Sequence, residues 1–140
     1  MSKNPSILSH VSLGTNDMIR ALAFYEEVLP ALGIRVIERV DENAVAFGRA
    51  YPEFWIVTPE NEIAASVGNG THIGFNADSR AEVDAFHARA LRAGGADLGA
   101  PGPRPHYGKP YYGCFVRDPD GHKIEATFWD EAESYAAGAS

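Results

Sequence analysis

Residues 10–33 of this chain return 62 positions later as residues 72–95, and this internal repeat restricts the fold more than any other feature. The offset sets His10 on His72, Ala23 on Ala85, Phe24 on Phe86, Leu29 on Leu91, Ala31 on Ala93 and Gly33 on Gly95. That is six identities in 24 gapless positions, against about two by chance in an alanine-rich chain. Val11 and Leu13 meet Ile73 and Phe75, so the apolar pattern repeats with the identities.

Each copy opens with period-two alternation, which marks a strand with one apolar face. In residues 9–15, Val11, Leu13 and Thr15 point one way and His10, Ser12 and Gly14 the other; in residues 71–77, Ile73, Phe75 and Ala77 oppose His72, Gly74 and Asn76. A helix follows each strand. The first starts at a capping residue, Asn16 or Asp17, and carries Ile19, Leu22, Ala23, Val28, Leu29 and Leu32; the second has Ser79 with Glu82 at capping-box spacing and a stripe of Val83, Phe86, Ala90 and Leu91. Gly33 and the Gly94–Gly95 pair end them. Strands at 34–40, 44–49 and 54–58 complete the first copy. The second has a short segment at 96–98, a Pro/Gly-rich loop at 99–110, and a hairpin of 111–117 and 122–129 around Asp118-Pro119-Asp120-Gly121. The expected fold is therefore α+β, with a βαβββ module at 6–63 and another at 70–129. The alanine-rich tail from Asp130 is expected to fray or cap an end.

Composition excludes several classes of function. A net charge of −7 opposes nucleic-acid binding, which needs a basic patch. No apolar run is long enough to span a bilayer, and residues 1–5 have no signal-peptide character. Cys114 is the only cysteine, so no internal disulfide forms, and a reducing, cytoplasmic setting is expected.

If the helices cover the apolar faces of the opening strands, His10 and His72 lie on the opposite faces, where a pseudo-twofold packing of the modules can bring them together. On the last strand Ile124, Ala126 and Phe128 form the apolar face, and Lys123, Glu125, Thr127 and Trp129 the other. An acid at mid-strand is costly to bury alone. A lone strand histidine is ordinarily a surface or satisfied polar residue, and a lone glutamate ordinarily pairs with Lys or Arg. Two equivalent histidines with a carboxylate on a matching face point instead to one divalent cation, held with coordination positions left open.

The pattern resembles the vicinal oxygen chelate superfamily, which includes glyoxalase I, fosfomycin-resistance enzymes, extradiol dioxygenases and bleomycin-resistance proteins. The residues that carry the resemblance are His10-Val11-Ser12-Leu13, Ala23-Phe24-Tyr25 through Leu29, Thr71-His72-Ile73, and the run from Phe115 through Asp118-Pro119-Asp120-Gly121 to Ile124-Glu125. The resemblance implies paired βαβββ modules whose curved mixed sheets enclose a metal-centred cleft, with His10, His72 and Glu125 at the ligand positions. The metal could be Zn, Mn, Ni, Co or Fe. Glyoxalase I adds a fourth protein ligand on the last strand of the first module. Aligning residues 54–58 with 123–127 puts Ile56 opposite Glu125, and Glu53 falls before the strand, so a three-ligand site is expected.

The hairpin suggests the neighbours of Glu125. If Asp118 pairs with Gly121, Cys114 lies opposite Glu125 and Tyr112 opposite Thr127 on the same face. Tyr112 is then the phenol able to donate to a bound oxygen, and Cys114 a small wall residue. The loop residues Arg104, His106, Tyr107 and Lys109 are expected to shape a substrate site, with His106 as acid or base near neutral pH. Phe54 and Trp55 occupy opposite faces, so one of them should line the cleft, whereas His122, beside the turn, should be solvated. The expected function is a glyoxalase-like metalloenzyme, a homodimer, acting on a small oxygen-bearing substrate by lyase, isomerase, thiol-transferase or dioxygenase chemistry, with Glu125, Tyr112 and His106 in catalytic roles. The alternative is a metal-free protein that sequesters a small molecule, as bleomycin-resistance proteins do. Its discriminating observation is metal content.

Overall fold

The computed structural model of the chain describes residues 6–130 and 132; the expectation of a fraying tail falls mostly outside them. Two four-stranded mixed sheets, curved but not closed, carry one long helix each, the α+β arrangement of the glyoxalase-like fold. The first sheet contains β1 (Val11–Gly14), β2 (Arg35–Asp41), β3 (Ala44–Gly48) and β4 (Phe54–Val57), in the order β1-β4-β3-β2; α1 (Met18–Val28) follows β1. The second contains β5 (His72–Asn76), β6 (Ala96–Pro103), β7 (Tyr111–Arg117) and β8 (Lys123–Trp129), in the equivalent order β5-β8-β7-β6; α2 (Arg80–Arg92) follows β5. In both sheets the opening strand runs parallel to the last, and the other pairs are antiparallel.

The helices begin where capping chemistry places them. Asp17 accepts from the Arg20 backbone N–H at 3.0 Å, and Ser79 from that of Glu82 at 3.1 Å. Glu82 reaches back one residue further than a capping box requires, accepting from Asp78 N–H at 2.9 Å. After α1 the chain tightens into a 3₁₀ turn, Leu29–Leu32, which Gly33 ends in the left-handed conformation at φ 73°.

The segment 99–110, expected to be a loop, is partly strand: β6 runs through Pro101 and Pro103 before a short 3₁₀ turn, Pro105–Tyr107. Proline is tolerated there because β6 is an edge strand and its register against β7 is broken by two shifts.

The apolar faces of both sheets and the two helices share one core. Phe24, Tyr25, Val28, Leu29, Phe47, Val83, Phe86, Val116 and Ile124 are all fully or nearly fully buried in it. Phe54 of the first sheet meets Phe75 of the second edge-on at 5.0 Å. Polar contacts add to this junction. Asp120 accepts from the Thr15 hydroxyl at 2.6 Å, the Asn16 N–H at 3.1 Å and the Arg20 guanidinium at 3.2 Å. His122 is buried rather than solvated, because its Nε2 stands 2.7 Å from the Gly14 carbonyl. No helix among the described residues is long and apolar enough to cross a membrane.

Candidate functional site

The helices leave one face of each sheet uncovered, and the site is built on that face of the second sheet. β5, β8 and β7 run side by side, so side chains fall into rows across them. His72 aligns with Lys123 and Arg117; Gly74 with Glu125 and Phe115; Asn76 with Thr127 and Gly113; and Trp129 pairs with Tyr111. Glu125 sits in the middle of this face and is only 7% exposed. Its two oxygens have separate partners. Oε1 lies 3.0 Å from His72 Nε2, while Oε2 accepts a hydrogen bond from the Tyr111 hydroxyl at 2.5 Å. Burial, followed by the adjacent carboxylate, raises the proton affinity of Tyr111 well above that of an ordinary phenol, so it remains a donor. Tyr111 is packed edge-on against Tyr107 and Trp129, each at 5.0 Å, and His106 lies 4.3 Å from Tyr107. Phe115 faces His72 at 6.1 Å and carries the Lys123 ammonium 4.8 Å from its ring centre.

Tyr111 therefore occupies the place expected of Tyr112. The hairpin closes with Asp118 N–H donating to the His122 carbonyl, and Gly121, at φ 95°, supplies an extra left-handed residue in the turn. A two-residue turn would need a positive φ at its first central position, which Pro119 cannot adopt; the three-residue loop with left-handed Gly121 shifts every cross-strand pair by one. Phe115, not Cys114, is then opposite Glu125. Tyr112 instead faces α2, donating to Asp84 at 2.7 Å beneath the Arg80 guanidinium. Cys114 also lies on the helix side, fully buried, with Sγ 3.8 Å from the Val83 carbonyl oxygen. The Pro-Asp-Gly spacing was the signal that could have revealed Tyr111 and Phe115.

Phe54 also belongs to the core, wedged between Tyr25 at 5.1 Å and Phe75 at 5.0 Å. Its neighbour Trp55 takes the open face of the first sheet, paired with Ser12 and Ala46. Trp55, rather than Ile56, is thus the counterpart of Glu125: Ser12 pairs with Trp55 as Gly74 pairs with Glu125. Ile56 is buried in the core. Neither side chain is a metal ligand. Arg104 spends its guanidinium on the carbonyls of Ala100, Gly102 and Gly113 and stands over Phe115 at 5.8 Å, bracing the loop beside the site.

His10 precedes β1 and is exposed, with Nδ1 2.9 Å from the Ser9 hydroxyl. It lines a groove of about 320 Å³ together with His72, and also an open hollow of about 720 Å³ with Ile7, Leu8, Tyr51 and Trp55. Among the described residues no three His, Cys, Asp or Glu side chains gather closely enough to hold one ion. The His72–Glu125 pair does suit a cation. A nitrogen and a carboxylate oxygen 3.0 Å apart are within the roughly 4 Å that separates two donors on one ion. Gly74 beside them has no side chain to cover Oε1, since a β-carbon there would stand 3.3 Å from it.

Residues 7–126 match the sequence profile of the Glyoxalase/Bleomycin resistance protein/Dioxygenase superfamily. This chain belongs to that superfamily. Within it, the chain is 32% identical over 134 residues to the uncharacterized protein PA2024 of Pseudomonas aeruginosa, covering 86% of this chain and 87% of that one. The crystal structure of a glyoxalase/bleomycin resistance protein from Albidiferax ferrireducens T118 superposes with a TM-score of 0.78 at 36% identity, over 88% of this glyoxalase-superfamily chain and 98% of the other. The lactoylglutathione lyase of Agrobacterium tumefaciens superposes with a TM-score of 0.63 at 25% identity, over 90% and 96% of the two chains.

Proposed function

We propose that this protein is a cytoplasmic metal-dependent enzyme that acts on a small oxygen-bearing substrate, with His72 and Glu125 as preset ligands of a divalent cation and His10 as the third. The observation that carries the reading is the 3.0 Å approach of the exposed His72 Nε2 to Oε1 of the buried Glu125 on the uncovered face of the sheet. When bound, the cation would supply Lewis acidity, stabilising negative charge on the substrate oxygens. The chain's own residues supply the rest. Glu125 offsets the charge of the ion, Tyr111 holds Glu125, Phe115 shields one side from water, and His106, at the rim beside Tyr107, is the candidate acid or base.

In this reading the working form is a homodimer. His10 and Trp55 lie on the open face of one sheet, and His72 and Glu125 on the open face of the other. A twofold partner would cover both faces at once and bring the His10 of one copy to the His72–Glu125 pair of the next.

A second reading, a metal-free binding protein, is favoured by one observation: Tyr107 and Trp129, exposed on either side of the buried Tyr111 ring, offer aromatic faces to a planar ligand. Metal content after purification without added metal, followed by reloading and dialysis, separates the two. The enzyme reading expects close to one divalent ion per chain, lost in Glu125→Gln and kept in Glu53→Gln. A wild-type protein that remains metal-free after reloading supports the binder instead.

A further inference from the structure

Glu125 is held asymmetrically, and the surrounding residues are arranged to keep it so. The Tyr111 row lies two rows from Glu125 along the sheet, so the ring reaches the carboxylate only by lying over Gly113. A β-carbon at Gly113 would stand 2.2 Å from the Tyr111 hydroxyl oxygen and 2.6 Å from the ring carbon that bears it. The path from Tyr111 to Oε2 therefore exists only because residue 113 has no side chain. Tyr111 is 2% exposed and fixed edge-on between Tyr107 and Trp129, which leaves the hydroxyl aimed at one oxygen. On the other side, Gly74 leaves Oε1 uncovered toward His72.

We infer that Tyr111 is a positioning residue that occupies Oε2 of Glu125 and so confines this carboxylate to binding through Oε1 alone. The inference rests on the metal reading above. A carboxylate can bind a cation through one oxygen or two. A donor fixed on the second oxygen competes with a cation for it and so disfavours the two-oxygen mode, and the coordination position this spares stays available to the substrate. Partners of this outer kind orient ligands and tune the ion, and their loss commonly weakens binding.

The test uses Co(II), whose visible absorption reports the number and arrangement of its ligands, in the wild-type protein and two variants. Tyr111→Phe removes the donor and keeps the ring; Gly113→Ala keeps the donor and displaces it. Thermal unfolding of the metal-free proteins identifies any variant that is merely misfolded, and the other variant then carries the test. The inference expects a wild-type Co(II) band, a changed and weaker band in a folded variant as Oε2 joins the ion, and Co(II) affinity lowered about 10-fold or more. A folded variant with the wild-type band and affinity would overturn the role of Tyr111 while leaving the metal reading intact. A wild-type protein that gives no Co(II) band would overturn both.

Discussion

The Tyr25 hydroxyl donates to Asp118 Oδ2 at 2.5 Å, joining α1 to the β7–β8 turn across 93 residues of sequence. Asp118 also accepts at Oδ1 from the backbone N–H groups of Asp120 and His122, so one buried carboxylate both shapes the turn and docks it on the first helix. Tyr25→Phe keeps the ring packing and deletes only the donor. We expect it to cost about 2 kcal/mol, the usual range for a hydrogen bond to a charged group. Urea unfolding should show a lower midpoint with an unchanged slope.

Alkaline pH should destabilise the protein through its tyrosines. Burial above all raises the proton affinity of Tyr25 and Tyr111, and the bond to Asp84 raises that of Tyr112, each from an ordinary value of 10.0. Because the folded state binds these protons more tightly than the unfolded state, their contribution is complete below about pH 10 and is lost as pH rises above it. Urea midpoints should fall through that range. Tyrosinate absorbance from the buried Tyr25 and Tyr111 should appear together with unfolding; its appearance from them in a still-folded protein would contradict the assignment.

The Cys114 thiol should be inert in the native protein. Burial pushes its pKa up to about 12, and the thiolate is the reactive form. Iodoacetamide at about pH 8 should leave the folded chain unlabelled and modify one site in denaturant. Labelling of the folded chain at a rate like that of a free thiol would place Cys114 nearer the surface than its packing against α2.

Sedimentation should give twice the chain mass at micromolar concentration if the homodimer forms. Trp55→Glu, which puts a charge in the hollow of the first sheet, should then yield monomers that bind metal more weakly. His10→Ala should weaken metal binding and leave the mass unchanged. Monomeric wild-type protein would count against the dimer, and a His10→Ala protein with wild-type metal affinity would remove His10 from the ligand set.

The repeat, the strand faces of residues 11–13 and 73–75, and both helix starts were legible because local rules govern them: alternation reports the face of a strand, and a capping side chain bonds its own helix start. The register of β7 and β8 was also a local matter. Pro119 and the left-handed Gly121 determine the turn, and a misread turn moves Tyr112, Cys114 and Phe115 each to the opposite face. A separate one-residue offset, in aligning β4 with β8, set Ile56 in place of Trp55 as the counterpart of Glu125.

By itself, then, the sequence determined two copies of one unit and the placing of His72 and Glu125 on the face away from their helix. Only the tertiary structure decided that Phe54 belongs to the shared core, that Tyr111 reaches Glu125 over Gly113, and that among the described residues His10, though it shares a groove with His72, does not close into a three-donor cluster with His72 and Glu125. The physical reason is that alternation tells which residues share a face. Which face is buried, and what meets it, depends on how the two sheets dock, and that rests on contacts such as Phe54 with Phe75 and Tyr25 with Asp118 between residues far apart in the chain.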